Sequence, residues 1–261
     1  TPEQIIIGAG TEYLYGLLIQ LLGIKKRYAV EDPGYRKISQ IYKSHSVACD
    51  FIAMDDYGIE VEELEKKKID VIHISPSHHF PTGIVMPVSR KYGLLSWASK
   101  DENRYIIEDD YDSELRLSGQ PIPTLQSIDV LEKVIYMNTF TKTLASTIRI
   151  SYMVLPQQLL QAYYEKLSFY ACTVSNFEQY TLARFIEEGY FEKHINRMRN
   201  YYHHKRDALV NTINNSPLKR YVKIFKEDAG LHFLMEVSTR HSDQEFIQML
   251  KEHGVKLTPL S

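Results

Sequence analysis

The sequence predicts an α/β protein built on a wound, mostly parallel sheet. Short apolar runs rich in β-formers alternate with helical patterns through the first half of the chain. Several of those runs end in a loop of glycine, hydroxyl, histidine or acidic residues, at the strand ends where such sheets bind ligands. With 261 residues, 44% hydrophobic and 25% charged, the composition is that of an ordinary globular protein with room for one large core or two unequal domains.

Ile5-Ile6-Ile7 reads as the first strand. Gly8-Ala9-Gly10-Thr11-Glu12 follows it, and Leu14, Leu17, Leu18, Leu21 and Leu22 then recur at helical spacing. A short strand over Arg27 to Val30 precedes the turn Glu31-Asp32-Pro33-Gly34-Tyr35 and a second helix. Val47 to Ile52 alternates weakly as a strand, and Val61 to Lys68 is charged and helical. Val71 to Ile74 is a strand that runs into Ser75-Pro76-Ser77-His78-His79-Phe80-Pro81-Thr82-Gly83, a loop of turn formers. A helix over Val88 to Ser99 leads to the strand Tyr105-Ile106-Ile107, followed by the acidic run Glu108-Asp109-Asp110-Tyr111-Asp112. Val134 to Met137 reads as a buried strand that runs out into a loop of Thr and Ser around Lys142.

From Gln157 to Asn215 the pattern is mostly helical and charged. Strands near Val222 to Phe225 and Leu231 to Val237, a helix over Gln244 to His253 and a last strand within 254–261 complete the chain. The expected division is a large domain over 1–160, a connecting helical segment over 161–190 and part of a smaller α+β domain over 191–261. There is no internal repeat and no low-complexity linker. The chain opens without an initiator Met directly before a strand and closes on one, so it is expected to be a piece of something longer; no signal peptide is visible.

A net charge of -2 gives no bulk attraction to nucleic acid or an anionic membrane. The longest apolar stretch, Leu14 to Ile24, is too short to span a bilayer. Cys49 and Cys172 have no metal-type spacing and favour a reducing, cytosolic setting.

Lys142 is the most informative residue. An amine held at a strand end and partly withdrawn from water loses its proton more easily and can attack an aldehyde. Thr139, Thr141 and Arg149 around it are the groups a phosphate seeks. Together they suggest pyridoxal phosphate held as a Schiff base, against the ordinary alternative of a lysine capping a strand. Gly8-Ala9-Gly10-Thr11, between strand and helix, offers free backbone N–H groups to an anion, though a plain connecting turn explains it as well. It is not the dinucleotide fingerprint, since Tyr13 stands at the third glycine position.

Asp109 is a candidate partner for a pyridine nitrogen, where a carboxylate keeps the ring protonated and makes it an electron sink. Tyr111 is a candidate for the ring's phenolic oxygen, and Tyr35 for stacking on a planar cofactor, although alone it reads as a turn aromatic. A divalent-metal site competes for the acidic run. Neighbours on an extended chain point to opposite faces, however, so Glu108, Asp109, Asp110, Asp112 and Glu114 cannot all converge. The adjacent pairs His78-His79 and His203-His204 lack the spacing of metal ligands, and no metal site is expected.

Read jointly, these motifs resemble the fold-type-I pyridoxal-phosphate enzymes, the aminotransferase class I/II superfamily. The resemblance runs from about Gln4 to Ser261. Glu108 to Glu114, Pro76 to Gly83, Thr139 to Leu144 and His194-Ile195-Asn196-Arg197-Met198-Arg199 look most like the aminotransferase-like effector domain of MocR-type regulators, members of the GntR superfamily that carry an N-terminal winged helix-turn-helix. The resemblance implies a fold-type-I large domain, part of a small domain and a homodimer. It makes Lys142 the Schiff-base lysine, Asp109 the ring-nitrogen partner, Tyr111 the phenolic-oxygen partner and Tyr35 the stacking aromatic. Gly10, Thr11, Thr139, Thr141 and Arg149 match positions that hold the phosphate.

One departure is Phe80 in Phe80-Pro81-Thr82-Gly83, where many aminotransferases have an asparagine that donates to the phenolic oxygen. The family's carboxylate-gripping arginine also falls beyond the last residue given. Three functions follow: an effector domain that senses an amino compound by aldimine exchange at Lys142 and reaches DNA only through a domain not in this sequence; a true aminotransferase; or a scaffold that only dimerises. The intact Lys142, Asp109, Tyr111 and Arg149 argue against the third, and Phe80 tilts the choice to the first.

Overall fold

The computed structural model describes residues 1–117, 123–225 and 231–260. Its elements run β1 (Ile5–Ala9), α1 (Thr11–Leu22), β2 (Tyr28–Asp32), α2 (Arg36–Ser44), β3 (Cys49–Asp55), β4 (Gly58–Ile59), α3 (Val61–Lys66), β5 (Val71–Ile74), α4 (Val88–Ser99) and β6 (Tyr105–Asp110). They continue with β7 (Val134–Thr139), α5 (Phe140–Thr143), β8 (Ile150–Val154), α6 (Gln157–Leu167), α7 (Asn176–Glu187), α8 (Tyr190–Asn214), β9 (Val222–Phe225), β10 (Leu234–Val237) and α9 (Asp243–Glu252). One sheet has the order β1-β8-β7-β6-β5-β2-β3-β4, and β9 pairs with β10 in a separate ribbon. β3, β2, β5, β6 and β7 are parallel. β8 runs against both β7 and β1, and β4 turns back on β3. The wound, mostly parallel sheet expected from the sequence is present.

The alternation of side chains along the strands divides the core between the two faces of this sheet. On one face Ile107, Ile135, Met137 and Met153 pack with α1, α2 and α6. On the other, Ile72, Ile74, Ile106 and Val134 meet Leu64 of α3 and Leu94 and Trp97 of α4. α1 buries Leu14, Leu17, Leu18 and Leu21, and it stops at Gly23, whose φ of +107° a residue with a Cβ rarely adopts.

Three expectations need correction, and one strand lies where the sequence reading placed no element. β8 is a full strand that the sequence pattern hides, because Ser151 occupies a core position, its hydroxyl donating to Thr139 at 2.8 Å. Glu108, Asp109 and Asp110 belong to β6 itself, since their backbones pair with Tyr136, Met137 and Asn138 of β7; ladder pairing overrides the poor strand propensity of Asp. Lys142 lies in the short helix α5 rather than in a loop, because Thr139 caps that helix by accepting from the Thr141 N–H. No strand forms over 254–260, where no neighbouring strand offers a ladder among the described residues.

The motif beginning at His194 lies in α8 and acts at long range. The His194 ring nitrogen Nε2 is 2.9 Å from the Thr143 carbonyl at the end of α5, and Arg199 Nε donates to the Glu114 carbonyl at 2.6 Å. Ile107, fully buried in the central strand β6, tests the core. Ile107→Ala should lower unfolding stability by about 2–5 kcal/mol, measured by denaturant titration, with the sheet signal in circular dichroism retained below the transition.

Candidate functional site

Strand order reverses between β2 and β5: the chain moves outward from β2 to β3, then returns to the other side of β2. In open α/β sheets that reversal opens a crevice at the carboxyl ends of the strands. Tyr35 follows β2 and Phe80 follows β5, and their rings meet edge to face with centroids 5.8 Å apart. Beside them is a cavity of about 890 Å³ lined by Glu31, Asp32, Tyr35, Phe80 and Thr258 among others. Tyr35 is half exposed and Phe80 is 37% exposed, so both faces are accessible from that side.

Asp109 is the centre of a buried network. The Tyr15 hydroxyl donates to its Oδ2 at 2.6 Å, while His73 Nε2 stands 3.6 Å from the same oxygen, too far for a hydrogen bond. Tyr42 meets the other His73 nitrogen at 2.9 Å. Burial first, then the Asp109 charge, holds the Tyr15 hydroxyl well above its ordinary pKa, so it stays a donor. Asp109 Oδ1 is buried with no hydrogen-bond partner. Its strand neighbours face other donors: Glu108 accepts from the Leu125 and Gln126 N–H groups, and Asp110 from Ser113 and Tyr136.

Tyr111 donates its hydroxyl proton to the His78 carbonyl at 2.8 Å. The His78 ring holds Asp112 at 2.8 Å and stacks on His232 with centroids 4.1 Å apart. Burial and the neighbouring His78 push His232 down to about 4, and Lys142 is close enough to add to that shift. Lys142 itself is exposed and makes no hydrogen bond or ion pair among the described residues. The partial desolvation expected of this amine is therefore absent here, because α5 is a single turn whose buried member is Thr143.

Thr139 and Thr141 are joined hydroxyl to hydroxyl at 2.9 Å, and Thr141 also donates to the Ile148 carbonyl at 3.2 Å. Gly10 and Thr11 begin α1 beside Arg149, which precedes β8. Arg149 Nη2 is 2.8 Å from Glu12 Oε2. The sequence-predicted residues thus fall into groups along one edge of the sheet. Gly10, Thr11 and Arg149 lie at β1 and β8; Thr139, Thr141 and Lys142 lie after β7; Asp109 and Tyr111 lie at the end of β6. Tyr35 stands apart, in contact with Phe80.

Among the described residues, His78, Asp112 and His232 offer ligand atoms within 4.8 Å of one another. The two imidazole planes are only 27° apart and stacked, so their in-plane lone pairs run side by side instead of converging on one ion. The constellation is better read as a contact between the β10 segment and the large sheet.

A profile of the family described as aminotransferase class I and II matches residues 1–261. The chain belongs to that family. It is 41% identical over 260 residues to YdeL, an HTH-type transcriptional regulator of Bacillus subtilis, covering 100% of this chain and 56% of YdeL. It is 31% identical to MocR, a probable rhizopine catabolism regulatory protein of Rhizobium meliloti, covering 100% of this chain and 52% of MocR. The chain therefore spans about half the length of these relatives. Among solved structures, a kynurenine aminotransferase of Pyrococcus horikoshii superposes with a TM-score of 0.83 at 29% identity, covering 98% of this chain and 65% of that one. This is an aminotransferase-like domain of the kind found in MocR-type regulators. No helix is long and apolar enough to cross a membrane among the described residues.

Membership in the class I and II family implies pyridoxal phosphate, and the residues fit it. The orphaned Asp109 Oδ1 lacks a donor that a protonated ring nitrogen supplies, and the guanidinium of Arg149 beside the bare Gly10 backbone suits a phosphate. Tyr15, His73 and His232 escaped the sequence reading. Tyr15 lies one helical turn after Thr11, a signal that was available; His73 and His232 reach the site only through long-range packing.

Glu31 and His79 form a further buried couple beside the Phe80 turn. Glu31 accepts from the Ser75 N–H at 3.0 Å and lies 3.3 Å from His79 Nε2, whose other nitrogen meets Thr82 at 2.7 Å. Burial pushes the Glu31 carboxyl up to about 8 and His79 down to about 4. A carboxyl raised on folding contributes its full stability below its unfolded pKa of 4.5 and loses it as pH rises through 8. His79, held neutral by burial, acts in the opposite sense between about pH 4 and 6.5 and offsets Glu31 there. Stability should accordingly decline from about pH 6.5 to pH 8, and Glu31→Gln should flatten that decline, as read from thermal unfolding across the same range.

Proposed function

We propose that this chain is the effector-binding domain of a transcriptional regulator, holding pyridoxal phosphate on Lys142 and reading an amino compound at the same position. The observation that carries the cofactor half of this reading is Asp109: one oxygen locked by Tyr15, the other buried without a partner. Bound there, pyridoxal phosphate supplies an electrophilic carbon for an amine and a ring that stores the electron pair. The chain's own residues supply the rest. Tyr15 fixes the carboxylate that would keep the ring nitrogen protonated, while Thr139, Thr141, Gly10, Thr11 and Arg149 would seat the phosphate. Tyr35 would cover one face of the ring, and Tyr111 would turn its hydroxyl from the His78 carbonyl to the phenolic oxygen.

The regulator half rests on the relatives named above and on Phe80. A phenyl ring cannot donate to the phenolic oxygen, so amine binding survives while the proton transfers that complete transamination become slow. DNA contact belongs to a segment outside this chain. Phe177 and Tyr180, a turn apart on α7 and 80% and 73% accessible, offer apolar surface for a second copy, in keeping with a homodimer in the cytoplasm.

Three measurements test this reading. Borohydride treatment of the intact protein should abolish a visible absorbance band and leave a mass adduct on Lys142; an adduct on another lysine defeats the assignment. Asp109→Ala should weaken cofactor retention by roughly 1.5–3 kcal/mol, the range for a hydrogen bond to a charged group, while Asp110→Ala, on the opposite face, should leave it nearly unchanged. With amino acids and keto acids supplied together, the intact protein should bind without sustained turnover. Repeated turnover at about 1 per second or faster makes it an aminotransferase like its Pyrococcus horikoshii neighbour.

A further inference from the structure

The anion cup at the start of α1 already holds an anion belonging to the chain. Glu12 Oε2 lies 2.8 Å from Arg149 Nη2, and Glu12 Oε1 pairs with Lys37 Nζ from α2. A Cβ built on Gly10 would fall against the Arg149 guanidinium and the Glu12 carboxylate, so the ion pair rests directly on the glycine backbone, where φ is +95°. Burial works against ionisation of Glu12, but the Lys37 bond and the Arg149 charge outweigh it and hold the carboxyl below its usual range. All three side chains remain partly exposed, at 48% for Arg149, 33% for Glu12 and 47% for Lys37, so water and ligand can reach them.

We infer that Glu12 is a built-in competitor for the phosphate position of this cup, and that Lys37 is a phosphate-binding residue which Glu12 holds in readiness. This rests on the cofactor reading above. A phosphate dianion drawn to Arg149 and the first N–H groups of α1 meets the Glu12 carboxylate as a like charge. The exposed pairs that hold Glu12 are individually weak, so its carboxylate swings out at small cost. Arg149 and Lys37 then both face the phosphate, one from the edge of β8 and one from α2. Only a ligand carrying at least two negative charges gains enough from two cations to displace the resident carboxylate. The cup thus discriminates phosphate esters from monoanions, and it holds its cofactor less tightly than the same cup without Glu12.

The test titrates pyridoxal phosphate and pyridoxal into the cofactor-free intact protein in phosphate-free buffer, following absorbance. Glu12→Gln should tighten pyridoxal phosphate about tenfold and change pyridoxal by less than about twofold. Lys37→Met should weaken pyridoxal phosphate several-fold and spare pyridoxal. Unchanged or weaker pyridoxal phosphate binding in Glu12→Gln, or an equal shift for both ligands, overturns the inference. If wild-type protein binds neither ligand, the cofactor reading fails on its own, and inorganic phosphate decides the cup. Phosphate should then raise the unfolding temperature more in Glu12→Gln than in wild type, and an equal or smaller rise overturns the inference.

Discussion

A strand ending in Glu108-Asp109-Asp110 can stay in the middle of a sheet only if every carboxylate it buries finds its own donors. The pleat separates them. Glu108 and Asp110 turn to one face, where backbone N–H groups of Leu125 and Gln126 and the hydroxyls of Ser113 and Tyr136 receive them. Asp109 turns to the other, toward Tyr15. Asp112, beyond the strand, takes the His78 ring. Residues from α1, from the loops after β5 and β6 and from β7 are thereby committed to positions around one strand end. Burial nevertheless pushes the Glu108 carboxyl up to about 7, even with two backbone donors to hold its charge.

Much of this arrangement was legible in the sequence. Alternating apolar runs located β5, α4 and the start of β6 because their patterns are not interrupted. The Gly-Thr turn, the His-rich loop, the acidic run and Lys142 could be assigned to strand ends from the residues that precede them. What stayed hidden depends on partners distant along the chain. Ser151 looks like a loop residue until Thr139 is placed beside it. Asp109 and Asp110 look like a turn until β7 pairs with them. His232 has no local mark at all, yet it stacks on His78, more than a hundred positions earlier.

Within this chain Lys142 is exposed and Tyr35 half exposed. A buried lysine would need either a counter-ion or a lost proton, and α5 provides neither. The hydroxyl pair Thr139 and Thr141 is already satisfied within the chain, Thr139 donating to Thr141 and Thr141 to the Ile148 carbonyl, so an anion bound there must draw a hydroxyl proton away from one of those acceptors.

α8 has mechanical consequences of its own. It is pinned in its first ten residues, where His194 grips the end of the lysine helix and Arg199 grips Glu114 just past the acidic strand. The remaining fifteen or so residues run on for about 22 Å, burying Ile213 near the far end, before Pro217–Arg220 leads into the ribbon of β9 and β10. Over that length a tilt of about 5° at the His194 and Arg199 contacts would move the far end by roughly 2 Å.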